Sequence, residues 1–364
     1  MKEIARIRQV STTAYTIPTD RPESDGTFEW TSTTMVLVEI LAGDKSGLGF
    51  SYTDATAAKL VQSDFAPLIT GRNAVDIASA HGDMVRRVRN LGRPGLAATA
   101  ISAVDNALWD LKAKLLGVSL LDLLGAAREE ALIYGSGGFT SYDIQELQSQ
   151  LSGWAEEGIS MVKMKIGRDA AADIERVRAA REAIGPSVRL AVDANGAYGR
   201  KEALAQARHF AEQDVCWFEE PVSSDDLEGL RLIRDRLPPG MRVAAGEYGY
   251  DADYFRHMLA AGAVDVLQAD ATRCLGITGF LEAATLAAAH HVPFSFHCAP
   301  ALHASLACAV PSFWVGEYFH DHVRIEQMLF DGAPRPVHGA LRPDRSRPGL
   351  GLDFKRSDAA RYAQ

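Results

Sequence analysis

Strands and helices alternate eight times in the second part of the chain, and this repeat limits the fold more than any other feature. From residue 131 onward, short apolar runs alternate with longer segments of helical periodicity. The predicted strands are residues 131–139, 161–166, 189–194, 216–219, 242–246, 264–269, 292–297 and 313–318. The predicted helices between them are residues 144–157, 171–183, 201–212, 225–236, 253–261, 277–290 and 301–309. Eight strands with a helix in every connection predict a (β/α) barrel.

The first third of the chain has a different pattern. Residues 4–16, 33–43 and 46–52 are predicted as strands, and residues 54–69, 74–89 and 95–116 as helices. We therefore expect an N-terminal α+β capping domain over residues 1–128, a barrel over residues 129–326, and a C-terminal segment, residues 327–364, that returns to the cap.

Composition excludes several classes of protein. The 364 residues carry 38 Lys and Arg against 47 Asp and Glu, a formal net charge of −9, so a nucleic-acid partner is not expected. The N-terminus lacks the apolar core of a secretion signal, and no apolar stretch is long enough to cross a membrane. The 4 cysteines include no Cys-x-x-Cys pair. A cytoplasmic enzyme with reduced thiols, and no membrane or nucleic-acid partner, is the expectation.

Polar residues stand at the carboxyl ends of the predicted barrel strands, where barrel enzymes keep their active sites. One such residue alone is more often a solvated lysine, a helix N-cap or a core histidine. The prediction rests on the whole set at one rim: Lys163, Lys165, Asp193, Asn195, Glu219, Glu220, Glu247, Asp270, His297 and Glu317.

Three of these carboxylates predict a metal site. Asp193, Glu219 and Glu247 follow consecutive strands, which lie about 4.8 Å apart in a sheet. Three adjacent carboxylates repel one another unless a cation joins them, and oxygen ligands favour Mg²⁺, with Mn²⁺ as the alternative, over zinc. Glu220 is expected to point away from the mouth, because side chains alternate along a strand.

The remaining groups suit removal of a proton next to a substrate carboxylate, through a stabilised enediolate. Lys165 lies beside Lys163, which is expected to depress its pKa toward that of a general base. His297 comes from the opposite side of the barrel, with Asp270 as its orienting partner. Glu317 is expected to hydrogen-bond the substrate carboxylate if it is protonated. The other histidines considered, His290, His291, His320 and His322, are expected on the surface or in loops.

These residues resemble the enolase superfamily, and within it the mandelate racemase subgroup. The resemblance covers nearly the whole chain and implies a modified (β/α)7β barrel of the TIM type under an N-terminal α+β cap. It also implies Mg²⁺ on Asp193, Glu219 and Glu247. Lys165 is implied as one base, assisted by Lys163, and Glu317 matches the position that hydrogen-bonds the substrate carboxylate. The other base is His297, paired with Asp270, and the protein is expected to be a homo-oligomer. The motifs are Lys163-Met164-Lys165, Asp193-Ala194-Asn195, residues 218–221, Gly246-Glu247, Asp270 followed by His297, and Glu317.

Substrate choice in this family lies in the cap. The cap candidates are Trp30 in a loop over residues 16–31 and Tyr52 in a second loop at residues 50–52. Asn195 and Arg273, after the third and sixth barrel strands, are further candidates for substrate contact. Arg273 stands where the related muconate lactonizing enzymes often have a lysine, and an arginine cannot serve as a lysine-type base. The polar character of these cap loops favours a polyhydroxylated acid as the small carboxylate substrate.

Four functions fit this set of residues. The first is an acid-sugar dehydratase, in which Lys165 or His297 removes the α-proton and protonated His297 expels the β-hydroxyl, giving a 2-keto-3-deoxy acid. The second is a racemase or epimerase of a 2-hydroxy acid that uses the same two bases. A Schiff-base aldolase built on Lys165 is the third, and a non-catalytic binding protein the fourth. The charge cluster argues against the fourth, because buried charges without a role reduce stability.

Overall fold

The computed structural model describes residues 5–364 and begins with a three-stranded antiparallel sheet. The strands β1 (Ile7–Ser24), β2 (Glu29–Ala42) and β3 (Lys45–Tyr52) lie in that order. The helices that follow are α1 (Thr56–Leu60), α2 (Ala66–Ile69), α3 (Ile77–Arg87), α4 (Leu96–Leu116) and α5 (Leu120–Leu124). The predicted α+β character of this part is confirmed.

Two segments of the cap differ from expectation. Residues 16–31 are mostly strand: β1 and β2 continue as a hairpin, with Ile17 opposite Thr33 and Glu23 opposite Trp30, and residues 25–28 connect the two strands. The alternating threonines favour this pairing, and the hydroxyl groups of Thr16 and Thr34 lie 2.7 Å apart. Residues 50–52 likewise belong to β3 and are not a loop.

The helix expected over residues 54–69 is divided by a π-helical turn at Val61–Phe65. Pro67 follows this turn in the first residues of α2. Because proline has no backbone N–H, it cannot make the usual hydrogen bond to the preceding turn, and the helix is irregular before it.

The barrel is confirmed, with eight strands joined by seven helices. Its strands lie in the order β10-β9-β8-β7-β6-β5-β4-β11, and a bridge between Phe294 and Phe313 links the two ends. The elements are β4 (Ala131–Gly137), α6 (Ile144–Glu156), β5 (Met161–Lys165), α7 (Ala170–Ile184), β6 (Arg189–Asp193), α8 (Arg200–Ala211), β7 (Val215–Glu219), α9 (Leu227–Arg234), β8 (Arg242–Ala245), α10 (Ala252–Ala260), β9 (Val266–Ala269), α11 (Gly276–Ala289), β10 (Phe294–Phe296), α12 (Pro300–Ala309) and β11 (Gly316–Phe319).

After the barrel the chain returns to the first sheet. The elements are α13 (His320–Leu329), β12 (Phe330–Asp331), β13 (Ala340–Leu341), β14 (Asp353–Phe354) and α14 (Arg356–Ala359). The ring of Phe354 lies 5.2 Å from that of Tyr15, and the backbone N–H of Gln364 donates to the carbonyl of Ala14. The segment therefore ties the cap to the end of the barrel.

Apolar side chains fill the barrel below the polar rim. Tyr134, Met161, Trp217, Val266 and Val315 form one buried cluster, contributed by the barrel strands and by the residue before β11. A second apolar core packs the cap sheet against α4. The polar strand ends therefore lie on a rigid, dry support. Among residues 5–364, no helix is both long enough and apolar enough to span a bilayer.

The packing of β3 on α4 gives a stability test. A Cβ atom on Gly49 would collide with the backbone of Ala103 and Ala107. We expect Gly49→Ala to lower the free energy of unfolding by about 1–3 kcal/mol in urea denaturation. Gly153→Ala on α6 is the control: no heavy atom lies within 4 Å of the added methyl group, so stability should rise by up to about 1 kcal/mol. Equal stability of the two variants would contradict the close approach of β3 to α4 at Gly49.

Candidate active site

The ends of three neighbouring strands bring lysines and carboxylates together. In the sheet register, Lys165 of β5 is paired with Asp193 of β6, and Asp193 with Glu219 of β7. Lys163 shares the inward face with Lys165, because residues two apart on a strand point to the same side. All four side chains are buried.

Three carboxylates converge at this edge of the barrel. Oxygen atoms of Asp193, Glu219 and Glu247 lie within 4.8 Å of one another. Glu247 is aimed there by Gly246, whose φ of +133° and contact with the carbonyl of Gln268 leave no room for a Cβ atom. Oε2 of Glu247 is buried and has no hydrogen-bond partner. Oε1 of the same group lies 3.4 Å from Arg273 Nη1. A buried carboxylate oxygen without a donor is costly, so the three carboxylates and the unpaired Oε2 of Glu247 fit a divalent cation.

Glu219 is held by donors on several sides. Its carboxylate accepts from Lys163 Nζ at 2.5 Å, Trp217 Nε1 at 2.8 Å and Gln268 Nε2 at 3.1 Å. Burial, together with the neighbouring carboxylate of Asp193, raises its pKa well above the usual value despite Lys163. Like charges that cannot all ionise together are the condition in which a bound cation is most favourable.

Lys165 is an ammonium in this arrangement. Its Nζ lies 2.5 Å from Asp193 Oδ2 and 3.0 Å from Asn195 Oδ1. Burial and the like charge of Lys163 lower its pKa, but Asp193 outweighs both and the pKa is raised. The expectation of a depressed pKa is therefore wrong here, because a carboxylate lies against the ammonium.

His297 and Asp270 form the expected pair. His297 follows β10, and its Nδ1 lies 2.8 Å from Asp270 Oδ2. Although burial raises the pKa of Asp270, the hydrogen bond and charge of His297 lower it below its ordinary range. Nδ1–H donates to this carboxylate. The other ring nitrogen, Nε2, lies 3.3 Å from Glu247 Oε2 and in hydrogen-bond contact with Cys298 Sγ at 3.2 Å.

Glu317 on β11 is an ionised acceptor. Its carboxylate accepts from Ser136 Oγ at 2.6 Å and from the backbone N–H of Cys298 at 2.9 Å, and it lies 2.8 Å from Lys163 Nζ. Burial raises its pKa, but Lys163 and His297 together lower it well below the usual value. The condition stated for donation to a substrate carboxylate, a protonated Glu317, is therefore not met in this arrangement.

Glu220 is excluded from the group of three carboxylates, as expected, yet it is buried. Burial, with the nearby charges of Glu247 and Asp193, raises its pKa well above the usual value. Ionisation of Glu220 is therefore disfavoured by the carboxylates beside it.

A cavity of about 610 Å³ opens above these groups, between barrel and cap. The barrel contributes Lys165, Asn195, Glu247, Asp270, Arg273, His297 and Glu317 to its wall. Trp30 and Tyr52 line it from the cap, so all four residues expected to touch substrate face the same space.

Family comparisons agree with this arrangement. The model described as "Mandelate racemase / muconate lactonizing enzyme, N-terminal domain" matches residues 11–125, and "Enolase C-terminal domain-like" matches residues 146–359. The chain belongs to the mandelate racemase/muconate lactonizing enzyme family of the enolase superfamily.

Three relatives illustrate the range of this family. A solved mandelate racemase/muconate lactonizing enzyme-like protein from Rubrobacter xylanophilus is 54% identical, with a TM-score of 0.97 over 99% of this chain and 100% of that one. L-Talarate dehydratase from Polaromonas sp. JS666, solved with Mg and L-glucarate, is 33% identical, with a TM-score of 0.89 over 99% and 97%. L-talarate/galactarate dehydratase of Salmonella typhimurium is 33% identical over 287 residues, 77% of this chain and 72% of the relative.

His322 lines the cavity, although the sequence patterns did not identify it as a candidate site residue. It is buried, its ring stacks on Tyr52 at 3.5 Å between centroids, and it lines the cavity. Burial lowers its pKa to about 3, so it is neutral. The expectation that His322 lies on the surface or in a loop is wrong, because α13 starts directly after β11 and turns its third residue inward.

The loop between Asp270 and α11 is held by the cap. The first backbone N–H groups of α11, those of Gly276, Ile277 and Thr278, donate to Ser102, Asn106 and Asp105 of α4 at 2.9, 3.0 and 2.9 Å. These are the orphan donors of a helix start, here capped by side chains from another part of the chain. Leu275, which precedes these residues, has φ of +69° and is buried against the cap core.

Removing one of these hydrogen-bond acceptors tests the contact between α4 and the start of α11. Asp105→Ala leaves the backbone N–H and the hydroxyl of Thr278 without their acceptor. We expect the free energy of unfolding to fall by about 1–3 kcal/mol, measured in urea. Asp76→Ala is the control, because Asp76 precedes α3, is exposed and makes no side-chain capping bond. If Asp105→Ala lowered the free energy of unfolding as little as Asp76→Ala does, α4 would not hold the loop.

Proposed function

We propose that this protein is a Mg²⁺-dependent acid-sugar dehydratase that converts its substrate to a 2-keto-3-deoxy acid. The observation that carries the proposal is the placement of Lys165 and His297 on the wall of one cavity, beside the three buried carboxylates. Similar chains are named dehydratases of talarate, galactarate, arabinonate and rhamnonate, which supports the reaction type.

Asp193, Glu219 and Glu247 would hold the metal ion. When bound, Mg²⁺ supplies positive charge to a substrate carboxylate. It would also offset the negative charge of the carboxylates that raise the pKa of Lys165. Lys163 remains between Glu219 and Glu317, where its fixed charge favours the negative charge that builds up on the substrate. Asn195, Arg273, Trp30 and Tyr52 are proposed to contact the rest of the substrate.

The proton transfers fall to Lys165 and His297. Either removes the proton from the carbon next to the carboxylate, and the electron pair of that C–H bond delocalises as an enediolate. Protonated Nε2 of His297 then gives its proton to the hydroxyl on the next carbon, that C–O bond breaks, and water leaves. The resulting enol takes up a proton on the carbon that lost the hydroxyl group, releases the proton of its own enol hydroxyl group, and becomes the 2-keto-3-deoxy acid. Asp270 keeps Nδ1 protonated, so that Nε2 carries the transferred proton.

A racemase or epimerase of a 2-hydroxy acid is the second candidate. It is favoured by the same two groups, because proton delivery to either face of a carbon needs one acid/base group on each side. A Schiff-base aldolase is less well supported, because the Lys165 ammonium is bonded to Asp193 and an ammonium is not a nucleophile.

A substrate screen separates these functions. Aldonic, aldaric and 2-hydroxy acids are incubated with protein and Mg²⁺ in D₂O, and proton NMR follows the products. We expect a 2-keto-3-deoxy acid from one or more sugar acids. Inverted configuration with α-deuterium and no keto acid would establish the racemase instead. Borohydride trapping of a substrate adduct without Mg²⁺ would establish the aldolase.

The metal ligands are tested by titration calorimetry. Asp193→Asn, Glu219→Gln and Glu247→Gln each replace a charged oxygen by a neutral one, so each should weaken Mg²⁺ binding by at least about tenfold and abolish turnover. Glu182→Gln is the control, since Glu182 is an exposed carboxylate on α7. Full activity of EDTA-treated wild-type protein would remove the metal from the account.

The two bases are tested by face-selective exchange. Lys165→Ala and His297→Asn should each block turnover but keep exchange of the α-proton with D₂O for one of two C2 epimers, the two variants differing in which epimer. NMR of each epimer with Mg²⁺ gives both rates. Intact turnover and exchange in His297→Asn would leave Lys165 as the single base.

We further propose that the protein is a homo-oligomer that acts in the cytoplasm. The oligomer is supported by family resemblance alone, and the location by four cysteines that are all unpaired. Light scattering that shows a stable 39.4 kDa monomer at micromolar concentration would contradict the oligomer.

A further inference from the structure

His303 is a fully buried histidine on α12 that the proposed chemistry does not use. It lies between the two chain segments that carry the acid/base pair: Ala271 follows Asp270, and Cys298 follows His297. It is not part of the cavity wall. Its ring is parallel to that of Phe296, with centroids 5.0 Å apart, and packs against Phe280 at 5.2 Å.

Both ring nitrogens of His303 are bonded to the backbone of these segments. The backbone N–H of Ala271 donates to Nε2 at 2.8 Å, so Nε2 carries no proton. Nδ1 lies 2.9 Å from the carbonyl oxygen of Cys298 and 3.0 Å from that of Ala299. Carbonyls only accept, so Nδ1 carries the proton. One tautomer satisfies all three contacts, and burial, which lowers the pKa of His303, keeps it neutral.

The backbone at the second segment is strained. Cys298 and Ala299 have φ of +51° and +41°, a left-handed conformation that residues other than glycine rarely adopt. Such conformations persist when the surroundings impose them. The Nδ1–H group of His303 bonds the carbonyls of these same two residues, which directly follow His297.

We infer that His303 is a positioning residue that holds Asp270 and His297 at hydrogen-bonding distance. It does so by clamping the backbone after each of them to one rigid ring. The acid/base role of Asp270 and His297 rests on the proposed function. The hydrogen bonds of His303 to the backbone do not depend on that function.

The direct test needs no substrate. In protein labelled with ¹⁵N-histidine, the Nδ1–H of His297 bonded to Asp270 should give a low-field proton signal, assigned by its loss in His297→Asn. His303→Phe keeps an aromatic ring but removes all three backbone bonds, so we expect this signal to broaden or disappear. His303→Gln has an amide that both accepts and donates and should recover part of it. An unchanged signal in His303→Phe would overturn the inference.

A second readout separates positioning from general loss of stability. For the two C2 epimers in D₂O, His303→Phe should slow exchange on the His297 face by about 10- to 100-fold, the usual loss for a supporting partner, and leave the Lys165 face near wild type. Phe280→Leu is the matched control: it loosens packing around the same ring without removing a hydrogen bond. Equal slowing of both faces by His303→Phe would overturn the inference. Absence of exchange in the wild-type protein would refute the proposed function instead. The low-field signal of His297 Nδ1–H would then test the positioning role of His303 by itself.

Discussion

Burial of charge at the barrel mouth is the constraint on which the rest of the structure depends. Four carboxylates, of Asp193, Glu219, Glu247 and Glu317, lie out of water, and the fixed cations beside them are the ammonium groups of Lys163 and Lys165 and the guanidinium group of Arg273. Buried charges are tolerated only when they are paired and hydrogen-bonded. The excess of negative charge is therefore the physical reason to expect a cation here, independent of any resemblance to other proteins.

Much of the local sequence serves this cluster. Trp217 and Gln268 donate to Glu219, Ser136 and a backbone N–H donate to Glu317, and Gly246 lets Glu247 turn toward the group. The cap contributes as well. Ser51 of β3 donates to the carbonyl of Thr272, so the strand that carries the Tyr52 wall residue is bonded to the loop after Asp270. Substrate contacts and acid/base groups are thus fixed relative to one another.

Sequence patterns predicted the barrel, the three metal-ligand candidates and the pairing of His297 with Asp270, because strand register and side-chain alternation place strand-end residues directly. The patterns were less informative where tertiary packing decides. The cap hairpin continues through most of residues 16–31 because strand pairing resumes after a register shift between Pro18 and Glu23, and His322 turns inward because α13 starts at the end of β11. The protonation of Lys165 and Glu317 depends on distances to Asp193 and Lys163, which no spacing along the chain reveals.

Thermal unfolding in EDTA and in Mg²⁺ tests the central claim most directly, because it needs no substrate. A cation that binds only the folded chain should raise its stability by about 2.7 kcal/mol at 100 times its Kd, and Tm should rise with Mg²⁺ concentration. Glu247→Gln should largely remove this dependence. A wild-type Tm that is the same in EDTA and in saturating Mg²⁺ would contradict the claim that these carboxylates are built around a cation.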